Sequence, residues 1–381
     1  MKILFIIDKM KNYAGIERIL TCKMNYIASQ TPYDIFFATY EQQSQPFPFQ
    51  LNPRIIHKPL DIMMPQRNEM TLIKWIFAYH DARNRFKQQF ESLIEHFHPD
   101  IVISTVYSFM VLDIIIKSCS HKGIKTIMES HTQGETVIIS NKFKYNQFLF
   151  KLFFNWDNYI MSCLRHCDCV VTLTKQDISF WSKYAKRIEV IPNMLTITPK
   201  KVRDYEVKRI VSAGRYMSEK GFDMLLEAWH MLPKEYHDWH LYIFGNGNRN
   251  TYQNIVDKYN MGETVHLMPA TNDIAEEFAK SSIYVMSSRY EGFGLVLAEA
   301  MSCGLPCVSF DCPYGPREII KDGVDGMLAN YKDVKDLAHK MCQFMSDTNL
   351  RRKMGEMAIK NIARYEPQSI MNQWISLFQN I

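Results

Sequence analysis

The sequence predicts an α/β protein of two domains, each built around a doubly wound parallel sheet. A length of 381 residues with 47% hydrophobic side chains suits two domains of ordinary size, each with a filled core. Short apolar, β-branched runs alternate along the chain with segments of helical periodicity. Glycine-containing turns join strand to helix repeatedly, as they do around a parallel sheet.

The first domain is expected over residues 1–198. It opens with KILFIID, an apolar run suited to a buried parallel strand. After the loop KMKNYAG, the stretch IERILTCKMNYIAS spaces its apolar residues as a helix does, so Gly15 opens a helix where free N–H groups could meet a phosphate. The loop lacks the G-x-G-x-x-G of a dinucleotide-binding dehydrogenase, which demotes hydride transfer. YDIFFATY, RIIHKPL, DIVISTV, GIKTIMES and CDCVVTLT read as further strands, with helices expected between Met70 and His98 and between Tyr107 and Ser120.

His131, in ESHTQGE, falls just past a strand end, the edge where open parallel sheets place ligands. A lone histidine there is more often a loop hydrogen-bonding residue than a catalytic one, and the same holds for Glu129. From Asn141 to Trp156, NKFKYNQFLFKLFFNW interleaves lysines with aromatic and leucine side chains. As a helix it fits either a bilayer interface or a core position with a basic rim. RIEVIPN adds a strand ending at Asn193, and the polar stretch near residues 194–206 is expected to link the domains.

The second domain, expected over residues 199–365, begins RIVSAGRYMSEKGFDMLLEAWHML, again strand, glycine turn and helix. Arg215 and Lys220 lie in the turn after Gly214, ahead of a helix starting near Phe222. Two cations beside a helix N-terminus suit a diphosphate, the arginine as a planar fork and the lysine as a point charge; a solvated surface turn is the plain alternative. HLYIFGNGN gives a strand followed by Gly245 and Gly247, which either admit a flat base or ribose against the backbone or make a tight turn. TVHLMPA is a strand before the helix TNDIAEEFAKS, GLPCVSF is a buried strand, Gly315 and Pro316 in DCPYGPREII precede a helix, and GVDGMLAN leads to the helices from Val334 onward. Residues 366–381, with PQSIMNQWISLFQ, are expected to form a helix that packs back onto the first domain.

The densest chemistry lies between Arg289 and Glu299, in RYEGFGLVLAE. SSIYVMSSR runs from apolar to small polar residues, as a buried strand ending in a loop does. Gly292 and Gly294 permit a tight turn, and LVLAEAMSC is a helical run starting near Gly294. Glu291 therefore sits on the loop and Glu299 inside the helix. Between them the free N–H groups of Phe293, Gly294 and Leu295 and the positive end of the helix favour a phosphate. A carboxylate would repel that phosphate, so the glutamates more plausibly accept hydrogen bonds from sugar or ribose hydroxyls. A first-turn glutamate and an incidental loop glutamate are the competing reading.

Composition narrows the classes further. No apolar run approaches the roughly 18 residues of a membrane-spanning helix, and MKILFIIDKM meets an aspartate too soon for a signal-peptide core, so a cytoplasmic protein is expected. Nine scattered cysteines favour free thiols in a reducing compartment. Cys163, His166, Cys167 and Cys169 cluster, but no second ligand pair stands at zinc spacing, so no metal site is expected. The net charge of +5 is uneven, with 24 Lys and Arg against 17 Asp and Glu in residues 1–200, and 21 against 23 in residues 201–381. The basic residues form no dense stripe for nucleic acid, so an anionic membrane surface or a phosphate-bearing acceptor fits the excess better.

Taken in order, AGIER, IPN, SAGRYMSEKG, FGNG, SSRYEGFGLVLAEAMSCGLPCV and GPREII followed by DGVDG resemble the retaining GT-B glycosyltransferases of the large family containing many bacterial polysaccharide and lipid-glycan transferases. The resemblance spans the chain and is most specific from Ile210 to Gly326. It implies two Rossmann-like domains facing a cleft, with the nucleotide sugar held mainly by the second. It also implies that Arg215 and Lys220, beside Gly214, bind the donor diphosphate, that Glu299 binds ribose hydroxyls, and that Glu291 binds hydroxyls of the transferred sugar. The N–H groups of Gly292 to Leu295 would meet sugar or phosphate, Gly15 would bring the first loop to the phosphates, and His131 would stand near the sugar. The family often pairs glycines in that first loop, whereas Ala14 precedes Gly15 here.

The function so implied is transfer of a hexose or N-acetylhexosamine, with retention and without metal or other cofactor, from a nucleotide sugar, by family resemblance a UDP-sugar, to a glycan or lipid-linked glycan acceptor. An epimerase or phosphorylase of the same fold, or a non-catalytic sugar-nucleotide-binding partner in a biosynthetic complex, are the alternatives.

Overall fold

Apolar runs of three to six residues become parallel strands because both faces of each are covered, and the connecting segments supply the covering helices. The computed structural model describes residues 1–11, 14–66, 69–105, 110–134 and 156–381. The lysine- and aromatic-rich stretch up to residue 155, and the start of the helix expected from Tyr107, lie outside the described residues. The chain divides into two units, one of Met1–Pro192 with Ile370–Ile381, the other of Asn193–Ser369.

In the first unit β1 (Lys2–Ile7), β2 (Asp34–Thr39), β3 (Ile56–Pro59), β4 (Ile101–Thr105), β5 (Lys125–Glu129), β6 (Cys169–Thr172) and β7 (Ile188–Val190) form one sheet in the order β3-β2-β1-β4-β5-β6-β7. Every pairing is parallel, Ile3 lying opposite both Ile35 and Ile101. Leu4, Ile6, Phe36 and Ala38 pack under Phe86 and Phe90 of the helix Leu72–Phe97, and Met128 and Val170 pack with Ile160 and Trp181. Strand order reverses between β1 and β4. The carboxyl end of β1, and the loop to the helix Gly15–Gln30, therefore lie at the switch point where such sheets hold ligands.

The helix Pro367–Gln379 belongs to this unit from Ile370 onward. It buries Ile370, Met371, Trp374, Leu377 and Phe378, each contributing about 1.5–3 kcal/mol of hydrophobic stabilisation. Lys23 lies 3.7 Å from the centre of a Trp374 ring, and the Arg187 guanidinium donates to the Asn380 carbonyl.

The second unit repeats the plan with β8 (Arg209–Ala213), β9 (His240–Gly245), β10 (Val265–Pro269), β11 (Ile283–Met286), β12 (Cys307–Phe310) and β13 (Met327–Ala329), in the order β10-β9-β8-β11-β12-β13. Its pairings are likewise parallel, and its reversal falls between β8 and β11. Helices Val334–Ser346 and Thr348–Ile362 start at Asp333 and Asp347, whose carboxylates accept from the Asp336 and Leu350 N–H groups. The polar stretch expected as a linker is packed within this unit. Leu195 N–H donates to Tyr365 O, Val202 N–H to Cys303 O, and the Tyr205 hydroxyl to Gly304 O. The helix Asn250–Lys258 has no counterpart in the sequence reading, its run NTYQNIVDK being too polar to stand out.

Candidate active site

The switch point of the second unit brings two loops together, one after β8 and one after β11. Gly221, at φ +62°, is where they touch, since a Cβ there would stand 2.0 Å from the Ser287 carbonyl oxygen. The Ser287 hydroxyl donates to Lys220 O at 2.9 Å, and Arg289 N–H to Glu219 O at 2.8 Å. Lys220 extends over Gly214, where a Cβ would lie 3.1 Å from its stem. Its Nζ then donates to Glu291 Oε1 at 2.7 Å, and the Ser288 hydroxyl donates to the same oxygen at 2.6 Å. Lys220 and Glu291 remain 20% and 11% exposed, so the pair is sheltered but open to a ligand.

Arg215 is placed differently. It is 63% exposed and paired at 3.0 Å with Glu219 four residues on, a surface contact worth about 0–1 kcal/mol. Turning toward an anion therefore costs it little. Gly294, at φ +94°, caps the helix Leu295–Ser302 with no side-chain hydrogen bond, as an anion-receiving helix start requires. Phe293 is buried, its ring edge-on to Tyr365 at 5.2 Å. Glu299, inside that helix, is fully buried and accepts a 2.7 Å hydrogen bond from the Thr196 hydroxyl.

Gly245 and Gly247 have a packing role. A Cβ on Gly245 would meet the Gly214 carbonyl oxygen at 1.9 Å, and Gly247, at φ +117°, bridges to Tyr216. Asn193 is partly buried at the start of the unit.

The remaining expected residues are in the first unit. Gly15 is the first residue of its helix, with Ala14 as an N-cap that supplies no side-chain bond. His131 is buried just beyond β5, its Nε2 3.1 Å from Glu129 Oε2. Glu129 also accepts a 2.5 Å hydrogen bond from Lys23, and the two side chains are 3% and 4% exposed. Burial alone would raise the Glu129 carboxyl, but Lys23 and His131 outweigh it and hold it at about 2. Burial also pulls Lys23 below the ordinary lysine range, against the opposing effect of Glu129. Cys167 and Cys169 of the thiol cluster are buried, which pushes them up to about 11 and about 12.

Residues 195–361 match the family described as glycosyl transferases group 1. Over this stretch the chain is similar to the group 1 glycosyltransferases. It is 24% identical over 384 residues to the amylovoran biosynthesis glycosyltransferase AmsD of Erwinia amylovora, covering 98% of each chain. It is 32% identical over 212 residues to an uncharacterized glycosyltransferase of Haemophilus influenzae, covering 55% of this chain and 60% of that relative's length. Among solved structures, that of a point mutant of S. aureus TarM in complex with fondaparinux, α-GlcNAc-glycerol and UDP resembles it with a TM-score of 0.75 at 15% identity, covering 99% of both chains. With its two parallel sheets and this likeness, the chain has the GT-B fold.

Sequence reasoning passed over several residues of this candidate site. Ser288 and Thr196, which hold Glu291 and Glu299, sit in short polar stretches with no marking pattern. Arg289 forks onto Asp223, with Nη1 to Oδ1 at 2.8 Å and Nη2 to Oδ2 at 2.6 Å, and also donates to Ser218 O at 2.6 Å. Burial would raise Asp223, but the Arg289 hydrogen bonds and charge hold it below the usual aspartate range. The adjacency of Arg289 to the Glu291 loop was the one available hint. Among the described residues no helix is long and apolar enough to cross a membrane.

Proposed function

We propose that the protein transfers a hexose or N-acetylhexosamine, with retention and without a metal, from a UDP-sugar to a glycan or lipid-linked acceptor in cell-surface polysaccharide synthesis. The observation that carries this reading is Lys220 paired with Glu291 at the switch point, beside the open N-terminus of the helix Leu295–Ser302. The family match over residues 195–361, the amylovoran biosynthesis role of AmsD and the UDP in the TarM complex support it from outside the chain.

Each group then has a task set by charge. Lys220, Arg215 and the helix N–H groups stabilise the negative charge that grows on the diphosphate as it leaves. Glu291 accepts from hydroxyls of the transferred sugar, and Glu299 from the ribose. The bond from the anomeric carbon to the phosphate oxygen breaks while the acceptor oxygen bonds that carbon on the same face. The acceptor's proton passes to the departing phosphate. The basic excess of residues 1–200 supports an anionic membrane surface as the place of work, at the inner face of the cell membrane.

The test is transfer from UDP-hexoses and UDP-N-acetylhexosamines to lipid-linked glycan acceptors, with the product's anomeric configuration read by NMR. A product of the donor's own configuration, formed equally well in EDTA, and lost in Glu291→Ala, is expected. An inverted product or full activity in Glu291→Ala would overturn the mechanism. Co-sedimentation with vesicles that does not depend on anionic lipid would remove the membrane proposal.

A further inference from the structure

We infer that Arg289 is a positioning residue for the donor diphosphate, clamping the Ser218–Gly221 turn, and Lys220 with it, against the loop that carries Glu291. The inference rests on the donor-site reading above and adds a residue to it. Nothing in that reading requires Arg289 to touch a ligand. Its guanidinium is engaged within the protein, through the two Asp223 oxygens and the Ser218 carbonyl. Its own N–H donates to Glu219 O, and its carbonyl accepts from the Tyr331 hydroxyl at 2.8 Å. One residue of the β11 loop thus grips Ser218 and Glu219, just before Lys220, and Asp223, in the first turn of the helix beyond it.

The geometry makes this a joint of register. Gly221 is held at φ +62° against Ser287, so the turn between Met217 and Phe222 is fixed at one end by that contact. The Arg289 contacts fix the rest. The side chains of Arg289 and Asp223 are 29% and 39% exposed, so water can replace the ion pair and its loss costs little folding stability. The turn would gain freedom instead, and that freedom must be surrendered when a diphosphate binds. The effect therefore falls on donor affinity. A lysine at this position has the charge but cannot fork onto a carboxylate while also reaching a carbonyl.

The experiment compares wild type with R289M, R289K, D223N and the exchange pair D223R/R289D. UDP binding is measured by calorimetry, and donor KM and kcat with the acceptor saturating. R289M is expected to weaken UDP binding and raise donor KM by about tenfold or more, the loss of one or more charge-assisted hydrogen bonds. Its kcat should stay within about threefold of wild type, because the contacts to the reacting atoms are unchanged. R289K and D223N should fall between, and the exchange pair should recover part of the affinity. Wild-type UDP affinity and donor KM in R289M, or a loss confined to kcat or to the melting temperature, would overturn the inference. Should R289M fail to fold, R289K and D223N carry the same comparison. A wild-type protein that binds no UDP overturns the donor-site reading itself and the inference with it, whereas wild-type binding unaltered in every variant sinks the inference alone.

Discussion

The two units each hold a lysine–glutamate pair at the carboxyl edge of a parallel sheet, and the pairs have opposite characters. Lys23 and Glu129 are almost wholly enclosed, capped by Trp374 and joined by His131. Lys220 and Glu291 are linked at a similar distance yet reach solvent, with Ser288 sharing the carboxylate oxygen. Taking two charges out of water is expensive, and an enclosed pair cannot exchange its partner without stranding a charge. A sheltered but open pair can. The same two residue types thus make a fixed brace in one unit and, in the other, a solvent-reaching pair whose cation the proposed function gives to the donor phosphate.

Breaking the brace should have the largest effect. Lys23→Met leaves Glu129 enclosed without its main counter-charge, and a loss of about 3–5 kcal/mol is expected in denaturant unfolding. The double variant K23M/E129Q should recover much of that loss. A single variant as stable as wild type would mean that the enclosure is not as drawn. Next comes Lys220→Ala, for which a fall in kcat/KM of about 10²–10³-fold is expected, the usual cost of removing one preorganised donor to a leaving group. Its unfolding free energy should move by less than about 1 kcal/mol, as for other partly exposed pairs. A large stability loss with activity intact would exchange the roles assigned to the two pairs.

The smallest effect is a pH dependence. Glu129 is held at about 2 in the folded chain against an ordinary value of 4.5. A depressed carboxyl contributes stability that is fully present above pH 4.5 and is lost as the pH falls toward 2. Melting curves across that range should therefore fall more steeply for wild type than for K23M/E129Q. Parallel curves would show that the pair is not what acid breaks.

These contrasts also explain what the sequence could and could not disclose. Five of the six strands of the second unit lie in runs legible as strands, because strands buried on both faces must be apolar, whereas β13, three residues in GVDGMLAN, is too short to stand out. The turn at Gly294 and the helix after it were legible from glycine chemistry and helical spacing. Whether Lys23 lies beneath Trp374, or Arg289 faces Asp223, was not. Those contacts join residues far apart in the chain, and a lysine or arginine reads alike in water and in an enclosure. The sequence of the GNG turn suits both ligand contact and backbone packing, and the approach of Gly245 to the Gly214 carbonyl and the bridge from Gly247 to Tyr216 give it a packing role.

The return of residues 370–381 to the first unit has a consequence for synthesis. Domains generally fold as units while the chain emerges from the ribosome, earlier segments first. Here the earlier segment cannot close over Lys23 until Trp374 has been made, whereas Asn193–Ser369 contains all of its own sheet before that point. The unit begun first is finished last, and in the interval Lys23 stands without the ring that covers it in the folded chain.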